Sequence, residues 1–356
     1  MLGSVVIRFE QRRLLKRSHR RFRPKNSLQA SSLSRFRAAI ASGDLLLEKV
    51  ACPVCESSES QVVAVVDRQG LDVDTVACLQ CPTLYSRDRL TEESLSVFYS
   101  DFYRNLYGGL DSPDNDWFDQ QTKNGRRIFT LLDDNKLLPN SDTSLRVLEI
   151  GAGAGGALVP FKEAGHSVLG IDFDEKFLDF GRSKGLSLQR GGIQDLDGLK
   201  TFDVVILKDV LEHLPDPLQA LRMIRESLSE KGIVYIQVPG LQALGPLGYG
   251  YDFLRYLQVA HICHYTIESL TYLCEKAGLK VGYSSNWGIV VCSRSSQPVG
   301  ADALVVPSSQ ISLEEIKRIL TRRAVYAIRH EVSSRLPEGI KKLLRTLRRF
   351  IVRWRR

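Results

Sequence analysis

The stretch LRVLEIGAGAGGALVPFKEAGHSVLGID, residues 145–172, decides the fold. LRVLEI (145–150) is an apolar run of strand length that ends in Gly151-Ala-Gly153-Ala-Gly155-Gly156. A short helix is predicted to Ala164, then a second strand, HSVLGID (166–172). The alternation continues outward. DEKFLDFGRSK (174–184) reads as a helix, LSLQ (186–189) and TFDVVILKD (201–209) as strands, PDPLQALRMIRESLSE (215–230) as a helix and GIVYIQVP (232–239) as a strand. Strands alternating with helices predict an α/β fold, a parallel sheet covered on both faces.

The glycine turn carries the first chemistry. Gly151 and Gly153 let the backbone turn tightly and approach a ligand closely. Gly151, Gly153 and Gly156 also satisfy GxGxxG, the dinucleotide fingerprint, which leaves a nicotinamide oxidoreductase as one reading. Glu149 argues against it, because a carboxylate two residues before the first glycine would repel a pyrophosphate. It suits a donor without phosphate that carries a sulfonium and an ammonium, S-adenosylmethionine. Asp172 ends the second strand, where a carboxylate accepts from both ribose hydroxyls. Asp195 follows the third strand, within reach of an adenine amino group.

Taken together, VLEIGAGAGG (147–156), GIDFDEKFL (170–178), FDVVILKDVLEHLPDP (202–217) and GIVYIQVPG (232–240) resemble the ordered motifs of class I S-adenosylmethionine-dependent methyltransferases. The resemblance covers about residues 145–290. It implies a doubly wound, mainly parallel seven-stranded sheet and a donor site built from Glu149, Gly151, Gly153, Asp172 and Asp195.

Upstream stand Cys52-x2-Cys55 and Cys78-x2-Cys81, separated by 22 residues. QVVAVVDR (61–68) and LDVDTVAC (71–78) flank a turn at Gly70 and read as a hairpin that brings the two pairs together. Four thiolates suit tetrahedral Zn²⁺, with no open position for catalysis. An iron–sulfur or redox role is the alternative. Seven cysteines, an odd count, argue against a secreted disulfide framework and for a reducing compartment. The cysteine pairs, the Phe98–Tyr107 segment and the core that follows are similar to a bacterial group with sugar C-methyltransferases and methyltransferases of surface-polysaccharide and natural-product pathways. That similarity implies a small-molecule or glycan acceptor.

Three histidines are the acid–base candidates. Glu212-His213 follows the fourth strand, whose end faces the donor methyl in this fold, and His213 is a general-base candidate because an ordinary imidazole titrates near neutral pH. Asp209-x2-Glu212-His213 also resembles a metal-binding stretch of ubiquinone-pathway O-methyltransferases, with Asp209 in place of their first Glu. His261 and His264, in His261-x2-His264-Tyr265-Thr266, are expected to line the acceptor pocket, to bind metal with Cys263, or to order a loop. Thr266 caps a predicted helix that Gly278 stops. Residues 240–260, rich in glycine and aromatics, read as an acceptor cap or a surface insertion.

Composition sets the surroundings. Of 356 residues, 43% are hydrophobic and 25% charged, ordinary globular usage that excludes collagen-like, coiled-coil and wholly disordered chains. No apolar run reaches the ~18 residues a membrane span needs. The net charge of +8 hides +10 in residues 1–40 and +10 in 311–356, which leave −12 on the body between them. The expected order is a basic arm (1–45), a zinc ribbon (46–90), a helical connector (91–140), the methyltransferase domain (141–297) and a basic amphipathic tail (311–356). The tail's apolar stripe, Ile340, Leu343, Leu344, Leu347, Phe350, Ile351 and Trp354, suits an anionic membrane surface. Docking on the body and binding of nucleic acid are the alternatives. The expected location is the cytoplasm, at the inner membrane face; an Arg-rich, acid-poor N-terminus also fits a mitochondrial presequence.

The first-choice function is methyl transfer to a sugar or lipid-linked saccharide. The rivals are a quinone-type or other small-molecule O-methyltransferase, an RNA methyltransferase or RNA-binding protein, and a non-catalytic scaffold.

Overall fold

The computed structural model describes residues 24, 26–108, 112–139, 144–196, 201–245, 249–295, 304–319 and 321–322. The tail's apolar stripe (340–354) and residues 1–23 of the basic arm lie outside the described residues. Among the described residues, no helix is long and apolar enough to cross a membrane.

Helix α1 (Ser27–Ser42) is capped by Asn26 and buries Leu33 and Phe36. Strands β1 (Leu47–Lys49) and β5 (Asp88–Leu90) pair antiparallel around the cysteine unit, which holds β2 (Ser60–Val66), β3 (Asp72–Cys78) and β4 (Thr83–Ser86). Helix α2 (Glu92–Asp101) starts at the Thr91 cap, as its sequence predicts, and passes into a π-helical turn, Arg104–Gly108. Helix α3 (Asn115–Asp134) begins at Asp114, which accepts from the Trp117 N–H at 2.7 Å and fixes the first turn.

The main domain then runs β6 (Arg146–Ile150), α4 (Val159–Glu163), β7 (Ser167–Asp172), α5 (Glu175–Ser183), β8 (Leu188–Arg190), β9 (Phe202–Lys208), α6 (Pro217–Ser227) and β10 (Leu228–Gln237). It continues through α7 (Phe253–Tyr256), β11 (Cys263–Tyr265), α8 (Ile267–Lys276), β12 (Leu279–Ser285) and β13 (Ile289–Arg294). The seven-stranded sheet has the order β12-β13-β10-β9-β6-β7-β8. Strand β13 lies antiparallel to both its neighbours; the pairs from β10 to β8 are parallel. The expected doubly wound, mainly parallel seven-stranded sheet is therefore present.

The strands have no polar face because both faces are covered. Val147, Val204 and Ile206 pack with Phe118, Phe161 and Phe177 of α3, α4 and α5. Their neighbours Leu148, Val205 and Leu207 pack with Leu221, Ile224, Leu270 and Leu273 of α6 and α8. Helix α3 crosses close over the glycine turn: a β-carbon at Gly125 would stand 2.3 Å from the Ala157 carbonyl. Thr266 and Ser269 form a reciprocal capping box at α8, and Gly278 follows with φ +80°, as the sequence predicts.

One connection has no signature in the sequence. The cysteine unit's sheet has the order β11-β4-β3-β2, so its fourth strand is residues 263–265 of the main domain. Three residues are too few to show strand periodicity.

Candidate active site

The carboxyl ends of β6, β7 and β8 build one half of the site. Gly151 and Gly153 take φ +70° and +54°, so the turn after β6 folds back on β7. The Gly153 N–H donates to Asp172 Oδ2 at 2.7 Å, and the Asp174 N–H donates to Asp172 Oδ1 at 2.9 Å. Glu149 lies beneath, buried, with Oε2 lacking a partner. Burial pushes its carboxyl up to about 8, against the pull of Lys208. Asp195 stands at the end of the next strand, exposed, and accepts from the Gly192 N–H at 2.8 Å. The Gly191 N–H reaches the Asp172 carbonyl at 3.0 Å and ties the two ends together. Glu149, Gly151, Gly153, Asp172 and Asp195 thus line one continuous rim.

Sequence reasoning missed three side chains on this rim. Arg104 pairs with Asp172 at 3.3 Å and Asp174 at 3.1 Å, with its guanidinium 3.8 Å over Phe177. Trp117 stands where a β-carbon on Gly153 would come within 3.1 Å. Phe173 is 56% exposed beside Gly192. Arg104 lies in the Phe98–Tyr107 segment, but nothing in its spacing says which strand it meets.

The other half collects around Glu212-His213. Val210 touches Gly151, which brings this turn to the edge of the glycine rim. His213 Nδ1–H donates to the Ala260 carbonyl at 2.8 Å, which leaves a lone pair on Nε2. That nitrogen is 3.8 Å from Glu212 Oε1, and His261 Nε2 is also 3.8 Å from it. His264 adjoins His261, ring centroids 5.9 Å apart. The structure thus brings together His213, His261 and His264, which the sequence separates by up to 51 positions.

All four groups are buried, and several polar atoms have no partner: both Glu212 oxygens, His261 Nδ1 and His264 Nδ1. Burial lowers His213 to about 4 and His264 to about 3, and holds His261 well below its ordinary value. The same burial raises Glu212 well above the usual carboxylate range. The imidazoles are neutral at pH 7, as a proton acceptor must be. Tyr99, Tyr103 and Tyr107 present a phenol ladder from the connector; Tyr99 and Tyr103 turn edge-on to the His213 ring, at 6.1 and 5.6 Å. The Tyr99 hydroxyl is buried without a partner. Asp209 stays outside this group: its side chain is 46% exposed and pairs with Lys208. The third group that joins Glu212 and His213 is His261, not Asp209.

The four ribbon cysteines come together as the hairpin predicts. Cys52 and Cys81 Sγ are 3.6 Å apart and Cys55 and Cys78 Sγ 3.4 Å, and all four lie within 4.8 Å of one another. A disulfide needs about 2.05 Å, whereas thiolates on a tetrahedral ion with 2.3 Å bonds stand about 3.8 Å apart. The donor set fits a tetrahedral metal.

A seven-stranded sheet with this order and an acid-flanked glycine turn define the class I methyltransferase fold. Residues 121–283 match a family model described as a methyltransferase domain. Curated relatives include the ubiquinone biosynthesis O-methyltransferase of Haemophilus ducreyi, 29% identical over 103 residues, 26% of this chain and 44% of the relative. The enzyme of the same name from Dinoroseobacter shibae is 30% identical over 167 residues, 40% of this chain and 62% of the relative. The chain therefore spans only about half the length of these relatives. Among solved structures, magnesium protoporphyrin IX methyltransferase from Synechocystis is 19% identical with a TM-score of 0.37, covering 54% of this chain and 97% of that one. A Streptomyces caelestis methyltransferase is 18% identical with a TM-score of 0.38, covering 48% and 90%.

Proposed function

We propose that this protein transfers a methyl group from S-adenosylmethionine to a hydroxyl of a small-molecule acceptor. The observation that carries the reading is His213, a buried neutral imidazole whose Nε2 lone pair is free beside the donor rim. Glu149 and Asp172 hold the donor through its cationic end and its ribose, and Asp195 reads its adenine. The acceptor lies against Tyr99 and Tyr103. His213 Nε2 takes its hydroxyl proton as the oxygen attacks the sulfonium methyl in line; the methyl–sulfur bond breaks and S-adenosylhomocysteine leaves. Positioning supplies much of the acceleration, because the sulfonium is already a good leaving group. Glu212 Oε1, 3.8 Å from His213 Nε2, faces the imidazolium that forms.

Two acceptor classes fit the aromatic wall. The curated relatives favour a phenol of the quinone-precursor type; the ribbon and connector favour the sugar or lipid-linked saccharide expected from the sequence. A second mechanistic reading places a divalent ion on Glu212, His213 and His261, whose ligand atoms lie within 4.8 Å of one another. That ion would lower the acceptor hydroxyl's pKa. The ribbon cysteines hold a structural Zn²⁺. The basic termini bring the enzyme to an anionic membrane surface from the cytoplasmic side.

The test is label transfer from methyl-labelled donor to a polyprenyl phenol, a nucleotide sugar, a membrane extract and RNA, with and without a chelator. Label in the phenol or the saccharide identifies the acceptor class, and loss of label with chelator at intact zinc content supports the divalent ion. Label in RNA overturns the small-molecule reading. Failure to bind S-adenosylhomocysteine overturns the enzyme reading in favour of a scaffold. Sedimentation with phosphatidylglycerol vesicles tests the termini.

A further inference from the structure

Two of the three acid–base histidines are held from outside the seven-stranded sheet. His261 and His264 lie on a segment, residues 257–265, that the cysteine unit grips along its length. At one end, the Arg68 N–H donates to the Leu257 carbonyl at 3.0 Å, and Asp67 Oδ2 accepts from the Val259 N–H at 3.2 Å. Asp67 is itself buried in the hairpin turn, where Oδ1 accepts from Gln69 and Leu71 N–H at 2.8 and 2.9 Å. In the middle, the Ser86 N–H donates to the Ile262 carbonyl at 2.9 Å, and Ser86 Oγ donates to the His261 carbonyl at 3.2 Å. At the far end, β11 pairs with β4, with His264 opposite Leu84 and Tyr265 opposite Thr83. Strand β4 starts two residues after Cys81, whose Sγ lies 3.2 Å from Thr83 Oγ1.

The main domain's own hold on this segment is lighter. The Ile262 N–H donates to the Glu212 carbonyl at 2.8 Å, and His213 reaches Ala260. The backbone of the donor rim is fastened within its own sheet: the Gly151 and Ala152 N–H groups both donate to the Ile171 carbonyl, at 2.9 and 3.0 Å. Cys78 ends β3 and Cys81 stands two residues before β4, so a metal on the four thiolates would tie these strands to the Cys52–Cys55 turn at one end of the sheet.

We propose that the metal-loaded ribbon is the positioning element of the acceptor half-site. It holds His261 and His264 against Glu212 and His213, with Asp67 and Ser86 as positioning residues, and metal occupancy governs acceptor turnover but not donor binding. This rests on the metal reading of the four cysteines, which is tested first by zinc content of the purified full-length chain.

The experiment is hydrogen exchange of the full chain before and after metal removal with a thiol-reactive mercurial and chelator. S-adenosylhomocysteine binding is titrated in parallel. The expected result is faster exchange in residues 257–265 and 83–86, unchanged exchange in 146–172 and an unchanged dissociation constant. Zinc present but 257–265 equally protected after its removal overturns the inference and leaves methyl transfer standing. Absence of zinc overturns the metal reading and the inference with it. Global loss of protection, donor rim included, also overturns the separation of the two halves. Ser86→Ala keeps the metal and removes one bond to the His261 carbonyl. It should lower kcat about fivefold, the worth of one hydrogen bond, at unchanged donor affinity, and Ser86→Thr should restore it. A Ser86→Ala variant with wild-type kcat argues against the positioning role.

Discussion

The two halves of the site are built by opposite means. The donor rim comes from one continuous run, Glu149 to Asp195, and each of its carboxylates is placed by a strand end or a tight turn. The acceptor half comes from three segments far apart in the chain: the connector tyrosines, the turn after β9, and the strand that completes the ribbon's sheet. The first half is backbone geometry, and its Asp172 and Asp195 carboxylates already accept backbone N–H groups; only Glu149 is deeply buried there. The second is side-chain burial, with unsatisfied oxygens and nitrogens turned toward one another. The contrast suits the proposed division of labour: donor recognition in the half set by backbone turns, proton chemistry in the half that burial keeps neutral.

The comparison breaks most sharply at His213. Replacing it with Ala should lower kcat by about 10³, within the usual range for a general base, while the S-adenosylhomocysteine dissociation constant stays the same. A loss of donor affinity in this variant would mean that the two halves are one. The burial of the histidines also predicts a pH limit. Between histidine's ordinary 6.5 and the lowered value of about 4, the unfolded chain takes up a proton that folded His213 refuses. Stability therefore falls as pH falls through that window, by about 3 kcal/mol at pH 4 from this residue alone. His261 and His264 act in the same direction. Thermal melts from pH 7 to 4 check it, and His213→Asn should flatten the slope.

Asp172 tests the other half. Its oxygens accept two backbone N–H groups that shape the glycine turn, and they are the proposed ribose acceptors. Asp172→Ala should weaken donor binding about 100-fold, or about 2.7 kcal/mol, with hydrogen exchange at 257–265 unaltered. Unchanged donor binding would remove the foundation of the proposed donor site.

The same contrast governs how much could be read from the sequence. Strands buried on both faces, a glycine turn and a carboxylate at a strand end are local patterns, so the sheet and the rim from Glu149 to Asp195 were legible. The cysteine pairs were legible because metal-ligand spacing is local too. Arg104 and Trp117 were not, since they reach the rim from a connector whose packing angle no local pattern encodes. His261 could be named, but not its place beside Glu212, which depends on a three-residue strand joining another unit's sheet. Resemblance suggested Asp209 as the partner of Glu212 and His213. The left-handed backbone at Asp209, φ +54°, accompanies a side chain turned outward to Lys208 instead.

The smallest effect concerns Glu149, the one donor-side group that shares the acceptor half's deep burial. Its carboxyl is pushed up to about 8, so at pH 7 it is mostly protonated without donor. A sulfonium and an ammonium brought beside it favour the carboxylate and expel that proton. Binding of S-adenosylmethionine at pH 7 should therefore release up to about one proton, seen as a calorimetric enthalpy that depends on the ionisation enthalpy of the buffer. S-adenosylhomocysteine lacks the sulfonium and should release less, and Glu149→Gln should release none. Affinity for the charged donor should rise with pH up to about 8 and then level off. A buffer-independent enthalpy for both ligands would show that Glu149 keeps its proton and serves the glycine turn by packing, which would leave Asp172 as the donor-side anion.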